Sequence, residues 1–484
     1  MDIISFLKDN LLPSLQGRGW GWVSHSCALV RADKLFSTIY VAGTAVAIAS
    51  AMVVAIFVNI LLADIPPESN RSRTLYLTSY YRKASMSNGE WLYTNFSTEA
   101  IDSCFRRMEC VEAVAGFMSY LHYLDYKVSD MDGQHEMPVS FTPTNTDFFR
   151  LYDFTFLSGR PFSEQEFQDG EPVCVITERL AKSLGLGLTP NPSPAGEGQN
   201  QQPTPLSHGR GAGGEALLLG GKPFRVVGVV KTVSYMLMNA AADVYIPYKV
   251  EGIGLHPERQ TNIPYSGNLD VHILLRKGFT QQDFVRELEP WRQRYEAVAS
   301  SQTGEETGWR VWANSHFFRY ITFFYSRGQE ESTTLKVMNL MPIALLMLLF
   351  LLLPAVNLSG LVSNRMEARR AEMGIRKVFG AKRRWLLQEV INENLVLTLL
   401  GGAAGWLLSW LFISLMRHTR EFQTLFVSED SKSFELSLDP AMFFTPTLFL
   451  IAFLCCAVLN LMAALIPAWR SLRKPIVESL NQKR

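Results

Sequence analysis

Four long apolar runs constrain this chain more than any other feature: Thr38–Ala63, Val337–Val362, Val390–Met416 and Met442–Ala468. Each reaches the length of about 20 residues that a helix needs to cross about 30 Å of hydrocarbon. A buried helix of a soluble protein explains one such run, not four in one chain. The first starts too late and runs too long for a cleaved signal peptide. The third opens on Asn392, Glu393 and Asn394, so its apolar part begins near Leu395.

Between the second and third runs the sequence turns sharply basic. Arg365, Arg369, Arg370, Arg376, Lys377, Lys382, Arg383 and Arg384 lie within a single short stretch. A basic residue at mid-bilayer costs about 2.5–3.5 kcal/mol, so the group would cost on the order of 20 kcal/mol. The segment therefore lies outside the hydrocarbon, and the positive-inside rule assigns it to the cytoplasm. The tail after Ala468 is also basic, whereas the loop between the third and fourth runs carries Glu421, Glu429, Asp430, Glu435 and Asp439. Four spans with both termini inside satisfy all of these charges.

The fold class expected is a polytopic membrane protein with four transmembrane α-helices and a large mixed α+β extracytoplasmic domain. The order would be a cytoplasmic tail 1–37, a helix 38–63, an external domain 64–334 and a second helix with its stalk 335–363. A cytoplasmic segment 364–388, a third helix 389–416, an external loop 417–441, a fourth helix 442–468 and a tail 469–484 complete it. Within the external block, Val173–Thr177 reads as a β-branched strand leading into a helix capped by Thr177. The stretch "KPFRVVGVVKTV" reads as a strand with Gly228 at a bulge or close contact. "DVHILLRKGFTQQDFVRELEPW" reads as strand, turn and amphipathic helix capped near Thr280. Residues 189–216, rich in Pro, Gly, Gln and Ser, bury too little to offset ordering entropy and read as a disordered insertion. Its P-x-x-x-G-R-G-x-G stretch from Pro205 repeats one from Pro13, which reads as low complexity at two tolerant places.

Composition excludes several classes of chemistry. The net charge of +1 gives no overall pull toward nucleic acid. Six cysteines in 484 residues are no disulfide framework and read as small buried hydrophobes. There is no G-x-x-x-x-G-K-[ST] phosphate loop, no C-x-x-C and no H-E-x-x-H. His122, Asp125, Asp130, Asp132, His135 and Glu136 fall close together, but a hairpin turning at Asp132-Gly133 explains them without a metal. No catalytic residue, metal site or cofactor is expected. Within the membrane, Gly43, Ala47 and Ala51 form a small-residue ridge and Gly401 with Gly405 a G-x-x-x-G step, suited to close helix packing inside one chain or across a dimer. In the basic segment Ile375, Val378 and Phe379 share one helical face, and Gly374 and Gly380 punctuate it. This face suits either anionic lipid or a cytosolic protein.

These residues carry a resemblance. "RMEARRAEMGIRKVFGAKRRWLLQEV" is similar to the signature of FtsX-like permeases, R-x-x-E-[IML]-G-[IV]-R-[KR]-[AV]-x-G-A, from Arg369 through Ala381. "FFRLYDFTFLSGRPFSEQE", "VCVITERLAKSLGL" and "GKPFRVVGVVKTV" resemble successive parts of a MacB-like periplasmic core domain, and "IPAWRSLRKPIVESL" resembles the family's ending. The long N-terminal tail and the 189–216 insertion depart from the pattern. The resemblance implies the permease subunit of an ABC transporter in the cell inner membrane, itself no enzyme, driven by a cytosolic ABC ATPase subunit. It implies a dimer with itself or a related permease, an extracytoplasmic adaptor or substrate protein, and contact with membrane lipid. It assigns ATPase coupling to Glu372, Gly374, Ile375, Arg376, Lys377, Val378, Phe379 and Gly380. ATP-driven movement of that segment would reach the external domain by mechanotransmission. The rival readings are a membrane scaffold or regulator that activates an extracytoplasmic enzyme, and a lipoprotein-releasing permease.

Overall fold

The computed structural model describes residues 34–83, 91–118, 126–133, 136–186, 216–234, 237, 239–258, 265–321, 331–416 and 446–473. The expectations attached to the first 33 residues, the 189–216 insertion, the 417–441 loop, the last eleven residues and both histidines of the acidic tract fall outside this set, Ala216 excepted. The described residues form two compact units, one from 34–59, 341–416 and 446–473, the other from 60–340.

The first unit is helical. It takes most of α1 (Lys34–Leu62). Helix α2 (Gln281–Thr303) belongs to the other unit. The helical unit continues with α3 (Thr333–Ala368) from Met341 onward, then α4 (Arg370–Val378), α5 (Arg383–Met416) and α6 (Pro446–Arg473). Among the described residues, Lys34–Ile60, Arg383–Met416 and Phe449–Ile466 are long and apolar enough to cross a membrane, and Thr333–Leu346 is a shorter apolar stretch at the start of α3. At 1.5 Å per residue, the 36 residues of α3 extend about 54 Å, well beyond a hydrocarbon thickness. Tyr40, Val362, Met366, Met373, Leu386, Val390, Leu397, Ala464 and Ala468 form one buried cluster that joins all five helices of this unit.

The second unit is a mixed α/β domain. Its strands are β1 (Thr74–Lys83), β2 (Leu92–Phe96), β3 (Val111–Phe117), β4 (Tyr126–Ser129), β5 (Met137–Val139), β6 (Phe141–Thr144), β7 (Phe156–Gly159), β8 (Val173–Thr177), β9 (Ala216–Leu219), β10 (Lys222–Val230), β11 (Val244–Pro247), β12 (Ser266–Gly267), β13 (Asp270–Leu275) and β14 (Thr307–Ser315). They pair in the order β12-β2-β1-β13-β3-β6-β11-β8-β10-β9-β4-β5, with β14 on β1 and β7 on β10. The pairs β8–β10 and β6–β11 are parallel.

Local chemistry explains the boundaries. The Thr177 hydroxyl accepts from the Leu180 N–H and starts the helix Glu178–Ser183. Thr280 and Asp283 exchange backbone and side-chain bonds in a capping box, and α2 ends on Gly304 at φ +68°. Gly228 sits at a register shift in β10. A Cβ there would lie 2.3 Å from the Arg160 carbonyl oxygen, so β7 can approach only because the side chain is absent. The hairpin β4–β5 turns at Gly133, which takes φ +68°. Cys104, Cys110, Cys174 and Cys456 are buried thiols and Cys455 is an exposed one.

The β14 edge shows how a nine-residue edge strand is kept from pairing with other chains. Helix α2 packs along it, with Tyr295 against Trp309 at 4.7 Å between ring centroids. The Thr307 N–H donates to the Ser300 hydroxyl (3.1 Å), the Trp309 N–H to Glu296 (3.1 Å) and the Ser315 N–H to Glu331 (2.7 Å). The Gln281 amide donates to the Ala313 carbonyl at 2.7 Å. Side chains thus occupy outward-facing backbone groups that would otherwise template another strand.

Candidate functional site

Helix α4 is nine residues long and carries Arg370, Arg376 and Lys377 of the basic segment. Its end is set by Gly380, at φ +88°, a conformation that a Cβ would strain. The Ala381 N–H reaches back to the Arg376 carbonyl (2.9 Å), a 6→1 bond that closes the helix in a Schellman arrangement. The chain then re-enters helix at Arg383.

The helix has two unlike faces. Met373 and Gly374 turn inward, and Met373 joins the buried cluster beside Leu386 and Val390. Ile375, Val378 and Phe379 turn outward at 49%, 61% and 86% exposure, and Trp385 beyond them is exposed as well. Scattered exposed apolar side chains are ordinary, but Ile375, Val378 and Phe379 share one face of the helix end and form a patch. Lys377 belongs to the same helix; its side chain lies outside the described residues.

A guanidinium–carboxylate network holds that patch in place. Arg376 donates to both oxygens of Glu389 (3.1 and 2.8 Å) and to Glu372 (2.5 Å). Arg369 reaches Glu393 (3.2 Å), Glu389 (3.4 Å) and Glu372 (3.5 Å). Arg365 pairs with Glu393 and lies over the Phe36 ring, 4.3 Å from its centroid. Burial disfavours the charge on Arg376, but the hydrogen bonds it donates to Glu389 and the charges of Glu389 and Glu372 raise its pKa above the ordinary arginine value. Three arginines and three glutamates thus fix α4 to α3 and α5 through charge-assisted hydrogen bonds.

Glu389, Glu393, Arg365 and Arg369 complete this arrangement and were not among the expected site residues. Glu393 is only 3% exposed. The sequence signal that could have found it is a carboxylate in the opening turns of an apolar run, which is costly unless paired.

The small residues meet neighbouring backbones closely. A Cβ on Gly401 would lie 2.7 Å from Thr44, and one on Gly405 2.8 Å from the Ala45 carbonyl oxygen and 2.9 Å from Ile48. The G-x-x-x-G step of α5 thus packs on α1 of the same chain. Ala47 and Ala51 are buried and Gly43 is half-buried. Among the described residues no three His, Cys, Asp or Glu side chains are placed to hold a metal.

Comparison with known proteins adds a second line. Residues 37–291 match the MacB-like periplasmic core domain, and residues 344–476 match the FtsX-like permease C-terminal region. The chain is 21% identical over 350 residues to the macrolide export ATP-binding/permease protein MacB of Escherichia coli strain K12, covering 72% of this chain and 44% of that protein. The MacB protein of Shigella flexneri gives the same identity and coverage. The chain therefore spans less than half the length of these curated relatives. Among solved structures, the periplasmic region of MacB from Actinobacillus actinomycetemcomitans matches 53% of this chain and 95% of that one, at 11% identity and a TM-score of 0.31.

Proposed function

The chain belongs to the FtsX-like permeases with a MacB-like periplasmic core domain, and from that premise we propose that it is a permease subunit that couples ATP hydrolysis by a cytosolic ABC ATPase subunit to conformational work outside the membrane. In this reading it crosses the inner membrane four times, through α1, α3, α5 and α6, with α4 in the cytoplasm and the mixed α/β domain outside. It acts as a dimer with itself or a related permease.

One observation carries the proposal: an apolar patch of Ile375, Val378 and Phe379 stands exposed on a helix whose other side is anchored by buried and charge-paired residues. A docking surface must be rigid to transmit force, and apolar to gain affinity by excluding water. Gly380 ends the helix abruptly, so the patch projects from the end of a fixed rod. The pairing of Arg376 with Glu389 ties α4 to α5, so a push on Phe379 would be felt along a 34-residue helix.

The test is a charge placed on the patch. Phe379→Asp, purified by a tag from its own host membranes, is expected to lose the co-purifying ATPase at least tenfold, a change of about 1.4 kcal/mol or more. The thermal unfolding of the chain itself should be unchanged, because the side chain is exposed. An undiminished ATPase in the Phe379→Asp preparation would overturn the coupling assignment.

A further inference from the structure

Glu331 lies just ahead of α3, half-buried overall with its side chain 7% exposed. It accepts the Ser315 N–H at the end of β14 (2.7 Å), the Gln281 amide at the start of α2 (3.3 Å) and the ammonium of Lys336 in the first turn of α3. Ser332 beside it accepts from the Leu335 N–H at 3.2 Å and closes the helix start. One carboxylate therefore joins a strand end and two helix starts. Burial alone would raise its pKa, but the bonds from Lys336 and from Ser315 outweigh this and hold it below the usual carboxylate range.

A similar arrangement recurs where α1 ends. Arg71 donates to the carbonyls of Ile60 (2.7 Å) and Ala63, satisfying acceptors that a helix C-terminus leaves open. Its Nε donates to buried Glu68 at 2.8 Å, and Glu68 accepts the Asn239 N–H at 3.2 Å. At both places where a long helix adjoins the sheet domain in sequence, a carboxylate with a basic partner thus ties together residues of that same unit. The two fasteners differ in reach. Glu68 fixes a helix end to a loop, whereas Glu331 fixes a helix start directly to the edge of the sheet.

The geometry points to Glu331 as the positioning residue that passes movement of α3 to β14 and α2, an inference that rests on the coupling reading above. Pulling or tilting the first turn of α3 moves Lys336, and the carboxylate held by Lys336 is the hydrogen-bond cap of the last residue of β14. Because β14 pairs with β1 over nine residues, displacement at Ser315 loads the whole ladder. Lys336 is the replaceable link: removing its ammonium leaves the carboxylate on Ser315 and Gln281, and leaves the sheet intact.

The test is hydrogen exchange, read by mass spectrometry, on the full chain isolated with its co-purifying ATPase. In Lys336→Met, exchange across 331–340 is expected to rise about tenfold while 111–117 is unchanged. In the wild type, ATP with vanadate should alter exchange across 307–315; in Lys336→Met that change should fall to less than about a third, with ATP hydrolysis kept within about twofold. Glu331→Gln, which retains one acceptor for Ser315, should behave in the same way. No rise at 331–340, or an ATP-linked change at 307–315 that survives the substitution, overturns the inference. A wild-type preparation with no ATP-linked change anywhere in the sheet removes the coupling reading, and the transmission role with it, while a rise at 331–340 would still mark the clamp.

Discussion

Arg376 on α4 grips both oxygens of Glu389 on α5, at 3.1 and 2.8 Å, across a turn of only a few residues. The pair turns a short surface helix into a fixed extension of a long one. Arg369 and Arg365, which precede α4 in the chain, add further ion pairs, with Glu393 as the common acceptor.

Removing the shared carboxylate should be costly. Glu393→Ala leaves Arg365 and Arg369 without their buried partner, a change expected to lower stability by about 3 kcal/mol. Thermal or denaturant unfolding of the purified chain in detergent measures it, against Phe379→Ala, which should change stability by less than about 0.5 kcal/mol. A loss below about 1 kcal/mol for Glu393→Ala would mean that the network is dispensable.

Bulk on the glycine step should separate α1 from α5. Gly401→Val sets new carbons against Thr44, and overpacking of this kind costs about 1–3 kcal/mol. Pairing it with Thr44→Gly should recover much of that loss, since the clash is with the Thr44 side chain. A double variant no better than Gly401→Val alone would place the strain elsewhere.

The external domain should weaken in mild acid. His272 is buried, with Nδ1 2.6 Å from the Tyr152 hydroxyl, and Phe117 and Tyr76 rings contact its edge. Burial, then the charges of Arg319 and His316, hold its pKa well below the ordinary 6.5. The unfolded chain therefore binds a proton that the folded one refuses, so stability is full above about pH 6.5 and declines as pH falls below it. Melting curves at pH 7.5, 6.5 and 5.5 should show this decline, and His272→Gln should flatten it.

Sidedness can be read directly. With native cysteines replaced, Asp132→Cys in the exposed β4–β5 turn should react with an impermeant maleimide on intact cells, and Lys382→Cys only after the membrane is opened. The reverse pattern would invert the topology and remove the proposed ATPase contact.

Much of the local structure was legible because it depends on neighbours in sequence. Thr177 and Thr280 cap their helices through bonds spanning three residues, and Asp132-Gly133 turns a hairpin whose strands lie on either side of it. Gly228 was readable as a close contact, though which backbone it meets was not. The network illustrates the converse. Arg369, Arg376, Glu389 and Glu393 are all plain in the sequence, yet whether they pair, repel or face solvent depends on how α4 folds back onto α5.

The sequence by itself determined what hydrocarbon and water demand: apolar runs of spanning length, a basic stretch that cannot enter them, and a long polar block of mixed strand and helix. These follow from transfer free energies that each segment carries alone. Only the tertiary structure decided that Met373 turns inward while Phe379 stands exposed, that Gly401 packs on Thr44 of the same chain, and that Glu331 joins Ser315 to Lys336. Those outcomes rest on contacts between segments far apart in sequence, and a side chain's burial or pairing has no value until its neighbour is in place.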